Sequence, residues 1–172
     1  LLAYLARVAE ELDRSIRPML AYARDHYVRA YVEVNARSDA VAPVGLIDPE
    51  NWPGPWVGDQ GPYGPLWLGP LFDAELVARL TVPDGAARAR EVEQFLSRLR
   101  EEVTVDRPFY FEANVLASRL ELAEPPSLRV VQEGLRSLGF RVARTHARPE
   151  GFRTDASRQV VEELVRRLVD SA

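Results

Sequence analysis

Apolar residues recur at Leu1, Leu5, Val8 and Leu12 with arginines and glutamates between them, the spacing of an amphipathic helix that needs a partner surface. Pro18 ends that helix or lies just beyond it. From His26 the period changes to two. Val28, Ala30, Val32 and Val34 fall on one side and Tyr27, Arg29, Tyr31 and Glu33 on the other, which predicts a strand over residues 26–34. Residues 37–65 hold six prolines and five glycines, a composition that predicts a long loop in place of helix or ladder. Trp52, Trp56 and Tyr63 are placed to pin that loop to the body of the protein. The run GPLWLGPLF, residues 64–72, reads as a short apolar strand bounded by prolines and as a natural partner for the strand before the loop.

Asp73 is placed to cap a short helix carrying Leu76, Val77 and Leu80. Val92, Phe95, Leu96, Leu99 and Val103 then mark a longer helix whose other face carries Arg90, Glu93, Arg98 and Glu101. No stretch has the composition of a linker, so the division between an opening unit (1–72) and a C-terminal unit (73–172) is expected within residues 73–84. In the last third, FYFEANVLASRLEL predicts a helix around 112–120, and Pro125-Pro126 breaks it. Ser127 is placed to cap a second helix that buries Leu128, Val131, Leu135 and Leu138 and ends at Gly139. FRVARTH resembles a strand, ARPEGF a turn, and RTDAS a returning strand or a loop that caps a last helix over 158–169. The fold class is α+β, and helix-turn-helix followed by a hairpin is the outline of a winged-helix unit, an outline many α+β domains share.

Composition narrows the function classes. The chain has 172 residues, 47% of them apolar, enough for one generous core or two small ones. Cysteine is absent, which excludes disulfides, thiolate nucleophiles and cysteine-based zinc sites. The only methionine is Met19 and the chain opens Leu1-Leu2, so it reads as a piece of a longer translated product. No run approaches the roughly 18 consecutive apolar residues of a membrane span, and a cytoplasmic location is expected. The net charge of −4 argues against nucleic-acid binding over the whole surface but leaves room for a local patch. All 22 basic residues are arginine, which a GC-rich genome explains better than a demand for guanidinium groups.

The candidate chemistry is sparse. The only histidines are His26 and His146, a poor basis for nucleophilic catalysis, and no spacing suits a metal; His26 reads as a structural residue at a strand start. Glu10-Glu11, Glu101-Glu102 and Glu162-Glu163 fall within helical patterns and are expected to be surface charge. Gly61, Gly64 and Gly69 are each followed by proline, which removes an amide donor from the place a phosphate would need it, so no nucleotide cradle is expected. The segment RTHARPEGFRTDA, residues 144–156, is different. Five arginines between residues 141 and 158 face only Glu150 and Asp155. Arg144, His146 and Arg148 alternate and would share one face of a strand, with Thr145 and Thr154 adding hydroxyls. This chemistry suits a nucleic-acid backbone: Arg144, Arg148 and Arg153 for phosphates, Arg141 in support, the Thr145 and Thr154 hydroxyls to meet phosphate oxygens, and Thr145 and His146 to shape the turn or donate hydrogen bonds. The competing reading pairs these arginines with nearby acids, leaving an interaction domain. A stand-alone winged-helix module that reads duplex DNA through residues 127–139 would have only Arg129 and Arg136 against Glu133 to do so, and duplex DNA is not expected.

RDHYVRAYVEV, GPLWLGPLFD, PFYFEANVLASRL and LRSLGFRVARTHARPEGFRTDA, in this order and at these intervals, resemble the C-terminal part of the tRNA guanine-N2 dimethyltransferases, which act on the guanosine at position 26. The resemblance implies a Rossmann-like, S-adenosylmethionine-binding domain upstream of this chain, with residues 26–34 and 66–71 as its closing strands. It implies a C-terminal α+β domain that helps hold tRNA. The methyl-donor glycines and the acid-proline-aromatic-glycine motif that receives guanine are absent here, and DPEN at 48–51 is no substitute, so no catalytic or cofactor-binding residue is assigned. Many relatives carry paired cysteines suited to a zinc ribbon between those two strands; residues 37–65 have none, and no zinc is expected.

Overall fold

A computed structural model describes residues 1–24, 26–36, 41–54, 61–105 and 107–170. The opening helix α1 spans Leu2–Glu11, but its buried face is Leu2, Ala3, Ala6 and Ala9; Leu1 and Leu12 lie in solvent. The small residues let the helix lie close against the strand that follows, which the leucine spacing did not reveal. Asp13, at φ 53°, reverses the chain, and β1 (Arg14–Arg24) begins at once. Pro18 therefore lies inside a strand rather than at a helix end. It sits where the register between β1 and β2 (Tyr27–Ala36) slips, the place in a ladder where a missing N–H does least harm.

The pairing expected between residues 26–34 and 66–71 is not formed. β2 pairs antiparallel with β1 through a tight turn. The proline-rich stretch supports its own ladder: β3 (Val44–Ile47) pairs with β4 (Tyr63–Trp67), again with a register shift. A two-stranded sheet bonds each strand on one edge only, so Pro65 can occupy β4 without breaking it. A 3-10 turn at Pro49–Asn51 separates β3 from the rest of the stretch. Trp52 packs edge-on to Phe109 and beside Tyr63, and Arg119 donates to the carbonyls of Trp52 and Gly54. The pinning role expected of Trp56 lies outside the described residues.

Asp73 caps α2 (Ala74–Arg79) by accepting from the Leu76 N–H at 2.8 Å. α3 (Ala89–Glu102) follows the expected period. Leu20 of β1 shares one apolar cluster with Val77, Leu96 and Leu99, so residues 73–84 are not a break in packing. A second cluster joins α1, β1 and Trp67. The third and largest holds the last third of the chain: β5 (Phe111–Glu112), α4 (Ala113–Arg119), α5 (Leu128–Ser137), β6 (Val142–Arg144), β7 (Gly151–Thr154) and α6 (Arg158–Asp170). Its sheet has the antiparallel order β5-β7-β6. Ser127 stands at the start of α5 but makes no capping bond with its hydroxyl. Gly139, at φ 88°, ends α5 in a Schellman motif: its N–H donates to Arg136 O and that of Phe140 to Leu135 O.

The class is thus mixed α+β, assembled from small antiparallel sheets. Leu135 is fully buried in the cluster that also holds Leu116, Phe152, Val161 and Val165. Leu135→Ala should destabilise the chain by about 2–5 kcal/mol, read as a lower urea midpoint with unchanged slope.

Candidate nucleic-acid interface

The centre of the basic segment is a buried carboxylate. Glu102, in the last turn of α3, is 1% exposed. It occupies the apolar stripe of its helix, three residues after Leu99 and seven after Phe95, so the expectation of surface charge fails at this position. Oε1 accepts from the His146 backbone N–H and from His146 Nδ1 at 2.7 Å. Oε2 accepts from Arg153 Nε at 2.5 Å and from the Thr145 hydroxyl at 3.3 Å. Burial alone would push this carboxyl up, but the His146 hydrogen bond and the Arg153 charge more than offset it, and it titrates below the ordinary glutamate range.

The same contacts decide which cations turn inward. Arg153 is 2% exposed, donates a second bond to Arg107 O, and lies over the Tyr110 ring. With its guanidinium held inside, it has no face left for a phosphate. Thr145 is buried beside it, and Thr154 is buried with its hydroxyl donated to Arg141 O at 2.8 Å. The His146 side chain is buried too, its ring lying among Tyr22, Phe72 and Phe95. Its Nε2 accepts from the Ala23 N–H at 3.2 Å, which places the ring proton on Nδ1. β6 ends at Arg144, so Arg144, His146 and Arg148 do not share a strand face as their alternation predicted.

Arg141, Arg144 and Arg148 point out. Arg141 is engaged by Asp155 through Nε at 2.8 Å and its backbone N–H, and by Thr104 O. Burial raises the Asp155 carboxyl, and the Arg141 bonds more than reverse this, leaving it below its usual range. Among the described residues Arg144 reaches the Pro149 carbonyl alone, at 3.5 Å. Arg148 lies 4.0 Å from Glu112, with 61% of its side chain exposed. Of the residues predicted to meet a backbone, Arg144 and Arg148 are brought together with guanidinium groups weakly committed. Both line an open groove of about 810 Å³ between α3 and the β6–β7 turn.

Glu162, expected at the surface, is half-buried and takes contacts from Arg119 and Arg158 at 3.5 Å. Glycines 61, 64 and 69 do not form a ligand cradle: an added Cβ would meet Pro49, Gly45 O and Pro43, respectively, within 2.8 Å. The space they leave is filled by protein, so these residues do not fit a nucleotide or a methyl donor. Among the described residues no group of three or more metal-ligating side chains is placed to hold an ion, and no helix is long and apolar enough to cross a membrane.

Residues 57–166 match the family model described as N2,N2-dimethylguanosine tRNA methyltransferase. The chain belongs to this family. It is 31% identical to the tRNA (guanine(26)-N(2))-dimethyltransferase of Pyrococcus furiosus, over 97% of the chain and 47% of that protein. It is 36% identical to the protein of the same name from Aeropyrum pernix, over 99% of the chain and 48% of the relative. Among solved structures, the complex of Trm1 from Pyrococcus horikoshii with S-adenosyl-L-methionine superposes with a TM-score of 0.77 at 27% identity, covering 95% of this chain and 47% of that one. The chain spans about half the length of the curated relatives it matches.

Replacing Glu102 by Gln leaves the Arg153 guanidinium buried without a counter-charge, and should destabilise the fold by about 3–5 kcal/mol. Because the folded-state carboxyl titrates low, its contribution is complete above the unfolded glutamate value, about 4.3, and is lost as pH falls through the folded value. The gap between the native chain and E102Q, measured by urea unfolding at several pH values, should therefore narrow on acidification.

Proposed function

We propose that this chain is part of an S-adenosylmethionine-dependent tRNA (guanine(26)-N2)-dimethyltransferase, and that its contribution is to hold the tRNA backbone while the target guanine is presented to a methyl donor bound by other parts of the protein. Family membership supports the enzyme class. The observation that carries the local role is the pair Arg144 and Arg148, both exposed and facing one groove, Arg144 bonded to the Pro149 carbonyl at 3.5 Å and Arg148 no nearer than 4.0 Å to Glu112.

In this reading residues 1–72 close the methyltransferase domain and residues 73–172 form the tRNA-holding unit; the division is one of role, since β1 and α3 share a core. The order α3, β5, α4, α5, β6, β7, with β7 central in the sheet, supports the winged-helix description. Glycines 61, 64 and 69 do not fit the methyl donor, and no step of methyl transfer is assigned to the described residues. Their work is positional. Extruding a base takes a few kcal/mol, and backbone contacts spread over a folded RNA are a sufficient source. Thr145, His146, Arg153 and Thr154 serve this from inside by fixing the turn, and Arg141 by fixing its base through Asp155.

A duplex-DNA reader built on α5 is disfavoured because Arg129 is paired with Glu133 at 2.9 Å and Arg136 is turned to the Val142 carbonyl. Replacing Arg144 and Arg148 together by Ala in the full-length protein should weaken tRNA binding and reduce the slope of log Kd against log salt by about one to two. Equal affinity and slope at several salt concentrations would remove the role assigned to this turn.

A further inference from the structure

The groove has a second wall, and its charge is not what the residue types alone suggest. On α3 the residues Gln94, Ser97, Arg98 and Glu101 face it, at the i, i+3, i+4 and i+7 spacing of one helix side. Three carboxylates line the groove, Glu91, Glu93 and Glu101, and two of them are already neutralised by arginines that are not part of its lining. Arg88 holds Glu91 at 2.7 Å, and Arg100 holds Glu93 at 3.0 Å. Arg24 also contacts Glu91, at 3.3 Å. Arg98 is half-buried in the wall, and among the described residues it forms neither an ion pair nor a hydrogen bond. A guanidinium has five donors in a fixed fork; one that is partly desolvated and unpaired is poised to take an oxyanion from the groove.

We propose that Arg98 is a third phosphate contact, facing Arg144 and Arg148 across the groove, and that the ligand gripped between the walls is a ribose-phosphate strand. This rests on the tRNA-holding role proposed above and extends it from the turn to α3. The chemical class follows from what remains after the neutralised acids are set aside. Of the four arginines that line the groove, Arg24 of β1 contacts Glu91, and Arg98, Arg144 and Arg148 come from α3 and the β6–β7 hairpin, with Gln94 and Ser97 as neutral hydrogen-bonding groups between them. Glu101 places a carboxyl group, a hydrogen-bond acceptor, within the same groove. A polyphosphate, with its charges contiguous, would be repelled by that carboxylate. A strand whose phosphates are spaced by sugars can set its charges on the arginines and a 2′-hydroxyl donor toward Glu101.

The test uses the full-length protein and an unmodified tRNA transcript, with Kd measured across a salt series for Arg98→Ala, Arg98→Lys and a control, Arg90→Ala. Arg90 lies about two helix turns from Arg98 and outside the groove lining, so its replacement removes the same charge from α3 without touching the site. R98A should weaken binding by about five- to tenfold and lower the salt slope by about one. R98K should keep most of the slope, and R90A should match the native protein. Thermal midpoints establish that each variant is folded. If R98A binds like R90A while the Arg144 and Arg148 double variant is impaired, the α3 wall is excluded and the turn stands. If both bind like the native protein, the tRNA-holding role of the turn fails as well, and this inference with it.

Discussion

The buried carboxylate of Glu102 is the constraint on which the C-terminal architecture depends. An ionised group at 1% exposure is tolerable only if each lone-pair direction is met, and here four donors from three residues of the β6–β7 hairpin meet it. Those donors are spread on both sides of the turn, at residues 145, 146 and 153. The carboxylate therefore does more than bind a cation. It fixes the turn against the end of α3 and, by drawing Thr145, His146 and Arg153 inward, leaves Arg144 and Arg148 as the side chains that project.

One strand links this arrangement to the rest of the chain. β1 contributes Leu20 to the cluster with α2 and α3 and Ala21 to the cluster with α1 and Trp67. Ala23, three residues beyond Leu20, donates its N–H to His146. Placement of the basic turn is in this way referred both to a helix and to a sheet. The groove walls come from different elements and keep their spacing only if those elements do, which is what this double reference secures.

Much of the C-terminal outline was legible because periodicity and punctuation agree there. The stripe from Val92 to Val103 gives α3, the Pro125-Pro126 break and Gly139 bracket α5, and the glycine-bearing turn between two short apolar runs gives the hairpin. The opening third was less legible for a physical reason. β1 contains a proline and a register slip, so its alternation is interrupted just where a period of two would be recognised. β4 overlaps the apolar run read as a strand, but β3 and its pairing with β4 were hidden, because prolines crowd the stretch between them and Pro65 sits in β4, where a two-stranded sheet leaves one edge unbonded. At the site, the count of cations was visible but not their direction. Arg153 turns inward because of an acid 51 residues earlier in the chain, and no local pattern carries that pairing. The one available signal was Glu102 itself, which continues the spacing of Phe95 and Leu99; read by residue type it looks like surface, and read by position it belongs to the core.

The outward amides of β1 have a consequence for how the β1–β2 ribbon can grow. The Ala21 N–H is taken by the Leu71 carbonyl, the Asp73 N–H reaches back to the Met19 carbonyl, and the Ala23 N–H is taken by an imidazole. Over residues 19–23 that margin of the ribbon is sealed, by main chain at one end and by a side chain at the other. Any further strand that adds alongside this stretch must do so on the opposite margin, along β2, where Val28, Tyr31 and Val34 stand uncovered. The histidine that steadies the basic turn thereby also gives the ribbon a direction of assembly.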